Sequence, residues 1–192
     1  MLRLFKDTVK LFVITAFFIF SSGAYSQILQ WRDAIQLVDE NGVVNVPEGY
    51  TTIKANAFKD INVNQINLPD SIHTIEERAF YNSVSLESIN IPDSVTFIGE
   101  GAFKNTSSLK SIELPTAINV IERYTFDGSG IENFNFQNIT SIKDYAFRAT
   151  NLQSIDLRPG TSIRTAAFND IDTIEHLFIP SNVSLLGYYI FS

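Results

Sequence analysis

One recurring aromatic position limits what this chain can fold into. Phenylalanine returns at Phe58, Phe80, Phe103, Phe126, Phe147, Phe168 and Phe191, with spacings of 22, 23, 23, 21, 21 and 23 residues. Five residues before each stands an aliphatic: Ile53, Ile75, Ile98, Ile121, Ile142, Ile163 and Leu186. Earlier in each unit come the pairs Val44/Val46, Ile66/Leu68, Ile89/Ile91, Ile112/Leu114, Phe134/Phe136, Ile155/Leu157 and Leu177/Ile179, alternating with polar residues. That period of two marks a short, half-buried strand. Another apolar residue precedes most pairs (Val63, Leu86, Leu109, Ile131, Leu152, Ile174), and proline follows most, at Pro47, Pro69, Pro92, Pro115 and Pro180. Pro159 is displaced by one residue, and Gln137 takes the place in the remaining unit. Proline has no amide hydrogen to donate, so strand pairing stops there. A unit of about 22 residues cannot bury such a face alone, whereas stacked copies can. The pattern predicts a β solenoid poor in helix, with the seven phenylalanines as its repeat core.

The fullest copy, "LESINIPDSVTFIGEGAF" at residues 86–103, resembles the BspA-type leucine-rich repeat. The resemblance covers residues 43–192 as about seven repeats of 21–23 residues, with short parallel strands. It implies a leucine-rich-repeat solenoid serving secreted or cell-surface recognition, with adhesion as the family's kind of task. One departure stands out. Repeats of that family often carry a cysteine shortly after the phenylalanine, and here Ser83, Thr106, Ser129, Thr150 and Ile171 stand near that place. The chain has no cysteine at all, which excludes disulfides, thiolate metal sites and cysteine nucleophiles.

Both ends read differently from the repeats. Residues 1–26 carry basic Arg3, Lys6 and Lys10, then the apolar run "LFVITAFFIF", then "SSGAYS" with small Ala24 and Ser26. This is the form of a secretory signal peptide cut before Gln27. The run is too short to span a bilayer, so cleavage is favoured over an uncleaved anchor, and no later stretch is long enough to span. Without Arg3, Lys6, Lys10 and Asp7 the chain keeps 11 basic and 20 acidic side chains, a net charge near −9. Such a surface repels phosphate backbones and argues against a nucleic-acid partner. Residues 27–42 predict an N-terminal cap helix with Ile28, Trp31, Ile35 and Val38 as its apolar stripe, Trp31 covering the first repeat with a ligand-stacking role as the alternative, and Asn41-Gly42 as its stop. At the other end the repeats run to "LLGYYIFS" without a polar cap. This is read as a partly open last unit or as a shortened array, and an open strand edge invites pairing with another copy.

A search for chemistry returns little. His73 and His176 are far apart in the repeat order and have no metal-ligand spacing, so both read as solvated surface residues. Asp70-Ser71 and Asp93-Ser94 follow proline and read as turn caps to nearby amides. Glu76-Glu77 shows no sign of burial, "FDGSGIE" lacks the lysine of a phosphate loop, and Asn105, Asn138 and Asn182 head glycosylation-type triplets that matter only in a eukaryotic pathway. No catalytic, cofactor or metal residue is assigned, and the expectation is a protein that is not an enzyme.

What remains is the surface made by stacking. One polar column runs Asn67, Asn90, Glu113, Asn135, Asp156, Phe178, flanked by Gln65, Ser88, Ser111, Asn133, Ser154, His176 and by Asn64, Glu87, Lys110, Glu132, Gln153, Glu175. A water-facing strand surface must be polar in any solenoid, but such faces also serve as extended contact surfaces. The first column is therefore the candidate face for an extracellular protein or glycan partner. Phe178 is read as packing under the open C-terminal end, with a binding spot as the alternative. Self-association through that end, as a structural element, is the competing function.

Overall fold

The computed structural model describes residues 27–185 and 187–192. The predicted signal peptide at 1–26 and the repeat aliphatic Leu186 lie outside the described residues. The chain winds through seven coils, each running from a short strand, past a corner, along a second short strand and into a turn that holds the repeat phenylalanine. On the first side, the strand face, β2 (Val43–Asn45), β4 (Gln65–Asn67) and β6 (Ser88–Asn90) form one parallel sheet, and β10 (Ser154–Asp156) pairs with β12 (His176–Phe178). On the second side, β1 (Gln27–Leu29), β3 (Tyr50–Ile53), β5 (Thr74–Ile75) and β7 (Phe97–Ile98) form a parallel sheet. A separate one follows, made of β8 (Val120–Ile121), β9 (Ser141–Ile142), β11 (Ser162–Ile163) and β13 (Ser184–Leu185). Register follows the repeat: Ile53 faces Ile75, which faces Ile98, and Ile66 faces Ile89. The architecture is a parallel β solenoid with one short helix.

The third side carries the phenylalanines. Phe58, Phe80, Phe103, Phe126, Phe147 and Phe168 are buried, and Phe191 is half-buried. Their rings form a continuous stack with centroids 5.0–5.6 Å apart. Each interior ring thus removes a full side chain from water, worth about 1.5–3 kcal/mol. Ring-on-ring packing adds about 0.5–1.5 kcal/mol per pair. The backbone follows one rule here. The residues two before and two after the phenylalanine are left-handed, as at Asn56/Asp60, Arg78/Asn82, Gly101/Asn105, Tyr124/Gly128, Tyr145/Ala149 and Ala166/Asp170. That conformation turns three N–H groups per coil along the solenoid axis. At the first boundary Asn56, Phe58 and Asp60 donate to the carbonyls of Glu77, Ala79 and Tyr81, and the same triple recurs at every later boundary. A left-handed residue with a Cβ costs about 1–2 kcal/mol, and these hydrogen bonds offset it.

Hydroxyls stand at four of the places where the resembled repeats often carry cysteine, and all four, Ser83, Thr106, Ser129 and Thr150, are buried. Ser83 donates to the Phe58 carbonyl at 2.7 Å, Thr106 to Phe103 at 2.8 Å and Thr150 to Phe147 at 2.9 Å. These bonds satisfy groups that are costly to bury alone. Among the described residues the buried Ser129 hydroxyl has no hydrogen-bond partner.

The N-terminal end differs from expectation. Gln27–Leu29 is a strand, and helix α1 covers only Trp31–Leu37. Leu29 and Ala34 are the buried residues, with Leu37 and Val38 packed beside them, whereas Ile28, Trp31 and Ile35 are about half exposed. Starting the helix after a paired strand rotates its inner face onto Ala34, so Ile28, Trp31 and Ile35 of the predicted stripe point outward and only Val38 packs inward.

Candidate interaction face

The strand face holds the predicted column in line. Asn45, Asn67 and Asn90 stand in register on β2, β4 and β6, and Asp156 pairs with Phe178. The side chains divide by task. Asn67 donates to the Asn45 side-chain oxygen at 2.8 Å, so its amide serves the stack. Asn90 clamps the previous coil, accepting from the Leu68 N–H at 2.8 Å and donating to the Leu68 carbonyl at 3.0 Å. Asn135 accepts from the Gln137 backbone, and Asp156 receives the Gln137 side chain. Glu113 is exposed, and among the described residues its carboxylate has no hydrogen-bond or ion-pair partner. Phe178 is 60 % exposed. The expected packing of its ring under the last coil is therefore corrected: the outward position on β12 holds it away from the core.

Coils four and five break the regularity. Here the strand pairing shrinks to one bridge, between Ser111 and Asn133. Phe134 and Phe136 replace the smaller aliphatics of other coils and wedge against Phe126, Phe147 and Phe168 at centroid distances of 4.9–5.9 Å. Two rings need more depth than an isoleucine and a leucine, so the segment leaves the ladder. A shallow cleft results, with Leu114, Pro115, Ile118 and Ile139 in its walls and Glu113, Asn135 and Asn138 among its lining residues. Sequence reading placed Glu113 and Asn135 in one column; the substitution of phenylalanine at both strand positions was the overlooked signal for the cleft.

Charge is distributed unevenly among the three sides. The strand face and the corner after it carry Asp70, Glu87, Asp93, Glu113, Glu132, Asp156 and Glu175 against Lys110 and Arg158. Of these, Lys110 and Glu132 pair at 2.7 Å. The other sides hold most of the cations, several of them paired: Lys54 with Glu76, Arg78 with Glu77, Arg123 with Asp144. On the turn side, buried Asp127 takes both Lys104 at 2.7 Å and Arg148 at 2.8 and 2.9 Å. That bond raises the Arg148 pKa above its usual value, against the opposing effect of burial. The cations also lie over a stacked tyrosine pair, Lys104 on Tyr124 and Arg148 on Tyr145. Carboxylates thus outnumber cations on the strand face, whereas the other sides are closer to balance.

The remaining sequence candidates stay apart. His73 and His176 are exposed, and among the described residues no group of His, Cys, Asp and Glu could hold a metal ion. Ser71 and Ser94 do not close their own turns; Ser71 accepts from the Gly49 N–H and Ser94 donates to the Ile72 carbonyl, both in the previous coil. Glu76 is held by Lys54 and the Ala55 N–H. Among the described residues no helix is long and apolar enough to cross a membrane.

Comparison with known proteins agrees with this geometry. A leucine-rich repeat protein from Bacteroides ovatus matches with 28% identity and a TM-score of 0.53, over 78% of this chain and 37% of that one. A leucine-rich repeat protein from T. pallidum matches with 22% identity and a TM-score of 0.60, over 78% and 74%. A leucine-rich cell surface protein from Faecalibacterium prausnitzii matches with 24% identity and a TM-score of 0.50, over 78% and 44%. The chain spans less than half of the Bacteroides and Faecalibacterium proteins it matches. Comparison with curated protein sequences gives no match. The model of the BspA-type leucine-rich repeat region fits residues 41–148 and 73–192, in 6 copies. With its phenylalanine period and stacked parallel coils, the chain belongs to the BspA-type leucine-rich repeat family.

Proposed function

We propose that the chain is a secreted or cell-surface recognition module that binds an extracellular partner along its strand face, without catalysis. The observation that carries this reading is the excess of carboxylates over cations there, while most of the cations stand on the other sides. Such a face selects a protein surface rich in lysine and arginine and disfavours acidic glycans, because complementary potentials steer association. The test is capture of extracellular proteins by the chain, followed by binding measurements on the best of them. Glu113→Lys with Asp156→Lys should abolish binding and added salt should weaken it, whereas Glu122→Lys after β8 should leave it unchanged. Binding indifferent to the first pair moves the site elsewhere.

A second reading, self-association, is favoured by the exposed apolar groups of the last coil, Leu177, Phe178, Leu185, Tyr188 and Tyr189. Sedimentation showing monomer alone across micromolar concentrations would eliminate it.

A further inference from the structure

Hydrogen bonding between coils is lost at one boundary on two sides at once. On the strand face, Glu87 donates to Asn64 in the coil before it, and Glu132 donates to Lys110. Lys110 should donate to Glu87 in the same way, and among the described residues it does not. On the second side, Thr96 donates to His73 and Thr140 to Asn119, while Asn119 gives no bond to Thr96. Gly99 reaches Ile75 and Lys143 reaches Ile121, but Glu122 does not reach Ile98. Correspondingly no sheet joins β6 to coil four, nor β7 to β8. The turn side remains closed. Gly101, Phe103 and Asn105 donate to Arg123, Thr125 and Asp127 at 2.8–2.9 Å, Lys104 reaches Asp127 and the Phe103 and Phe126 rings stack.

The sequence supplies a cause. The coils on either side carry side-chain clamps to the coil before them: Asn90 on Leu68 and Ser94 on Ile72 in coil three, and Thr140 on Asn119 at 3.1 Å in coil five. In coil four these positions hold Glu113, Ala117 and Asn119. A carboxylate cannot both donate and accept, alanine has no hydroxyl, and Asn119 makes no such bond. Three clamps are missing from this boundary, which among the described residues keeps only the Ser107 hydroxyl on the Val84 carbonyl at 3.3 Å ahead of the strand, while the core behind it stays packed, with Val95, Ile98, Ile118 and Ile121 all buried.

We infer that this boundary is a hinge: coils one to three and coils four to seven move as two blocks about an axis along the turn side, opening and closing the strand face between β6 and residues 111–115. Interfaces with few hydrogen bonds are where local opening is drawn from, and hinges sit at a few element-terminal residues. The inference does not depend on what the strand face binds.

The chain has no cysteine, so spin labels can be placed cleanly. One pair, Gln65→Cys with Ser111→Cys, spans coils two to four on the strand face; another, Glu77→Cys with Arg123→Cys, spans the same coils on the turn side. In the full chain the face pair should give a distance distribution at least about twice as broad as the turn pair. Adding Glu113→Asn, Ala117→Ser and Asn119→Thr should narrow the face distribution to that of the turn pair. Equal widths in the unclamped chain overturn the hinge. So does a face distribution that stays broad in a folded, fully clamped chain.

Discussion

Asp127 is the test of the turn side, because one buried carboxylate there joins three coils. It accepts from Arg148 at 2.8 and 2.9 Å and from Lys104 at 2.7 Å, while its own side chain is 3% exposed. Hydrogen bonds to charged groups contribute about 1.5–3 kcal/mol each. The cations are 25% and 35% exposed, so solvent screens part of that and the three contacts do not add. Asp127→Asn keeps the shape, removes the charge and should cost about 2–3 kcal/mol. Equilibrium unfolding in urea measures it, in low salt and in about 1 M salt, where surface pairs are screened within about 3 Å. A buried cluster should keep most of its effect in high salt. The decisive comparison is the same change in a Lys104→Met, Arg148→Met background, where it should cost far less. An equal cost in both backgrounds would refute the ion cluster as the source of the stability.

Other outcomes follow from the same geometry. Phe126→Ala should destabilise by about 3–5 kcal/mol, whereas Phe191→Ala, half-buried with one stacked neighbour, should cost clearly less; thermal melting ranks the two. Gly130→Ala would bring a Cβ within 2.2 Å of the Ser107 carbonyl and should cost about 1–3 kcal/mol by overpacking, read by urea unfolding. Tyr50 is buried, and burial first, then the Asp33 carboxylate, pushes its pKa from 10.0 to about 12. Folding thus favours the protonated phenol, so its contribution is complete below pH 10 and is lost as pH rises through about 12. Tyr50→Phe should flatten that alkaline loss in a stability-against-pH series.

The hydrophobic skeleton was legible because it depends on one residue type per position. Only a large flat ring fills the turn column, and only alternation with a closing proline makes the strand. The left-handed residues were not legible, since Arg78, Tyr124, Tyr145 and Ala166 carry none of the usual preference for that conformation and are held there by stacking alone. The cap helix was legible but its inner face was not, for a related reason: periodicity marked Ile28, Trp31 and Ile35, but the preceding strand had already fixed which way α1 faces. The candidate face was half legible. Column membership came from the repeat, yet telling the clamp Asn90 from the unpartnered Glu113 requires knowing which backbone groups lie a coil away.

The turn-side hydrogen bonds all run one way, from the N–H of each coil to the carbonyl of the next. Strand ladders mix directions, as when Val46 donates forward to Asn67 while Glu87 donates back to Asn64, and their peptide dipoles largely cancel. On the turn side they add, as in a helix, and each bond polarises the next. The solenoid therefore has an electrical polarity along its axis: carbonyl oxygens face outward at the first coil, amide hydrogens at the seventh, so the two ends are chemically different surfaces.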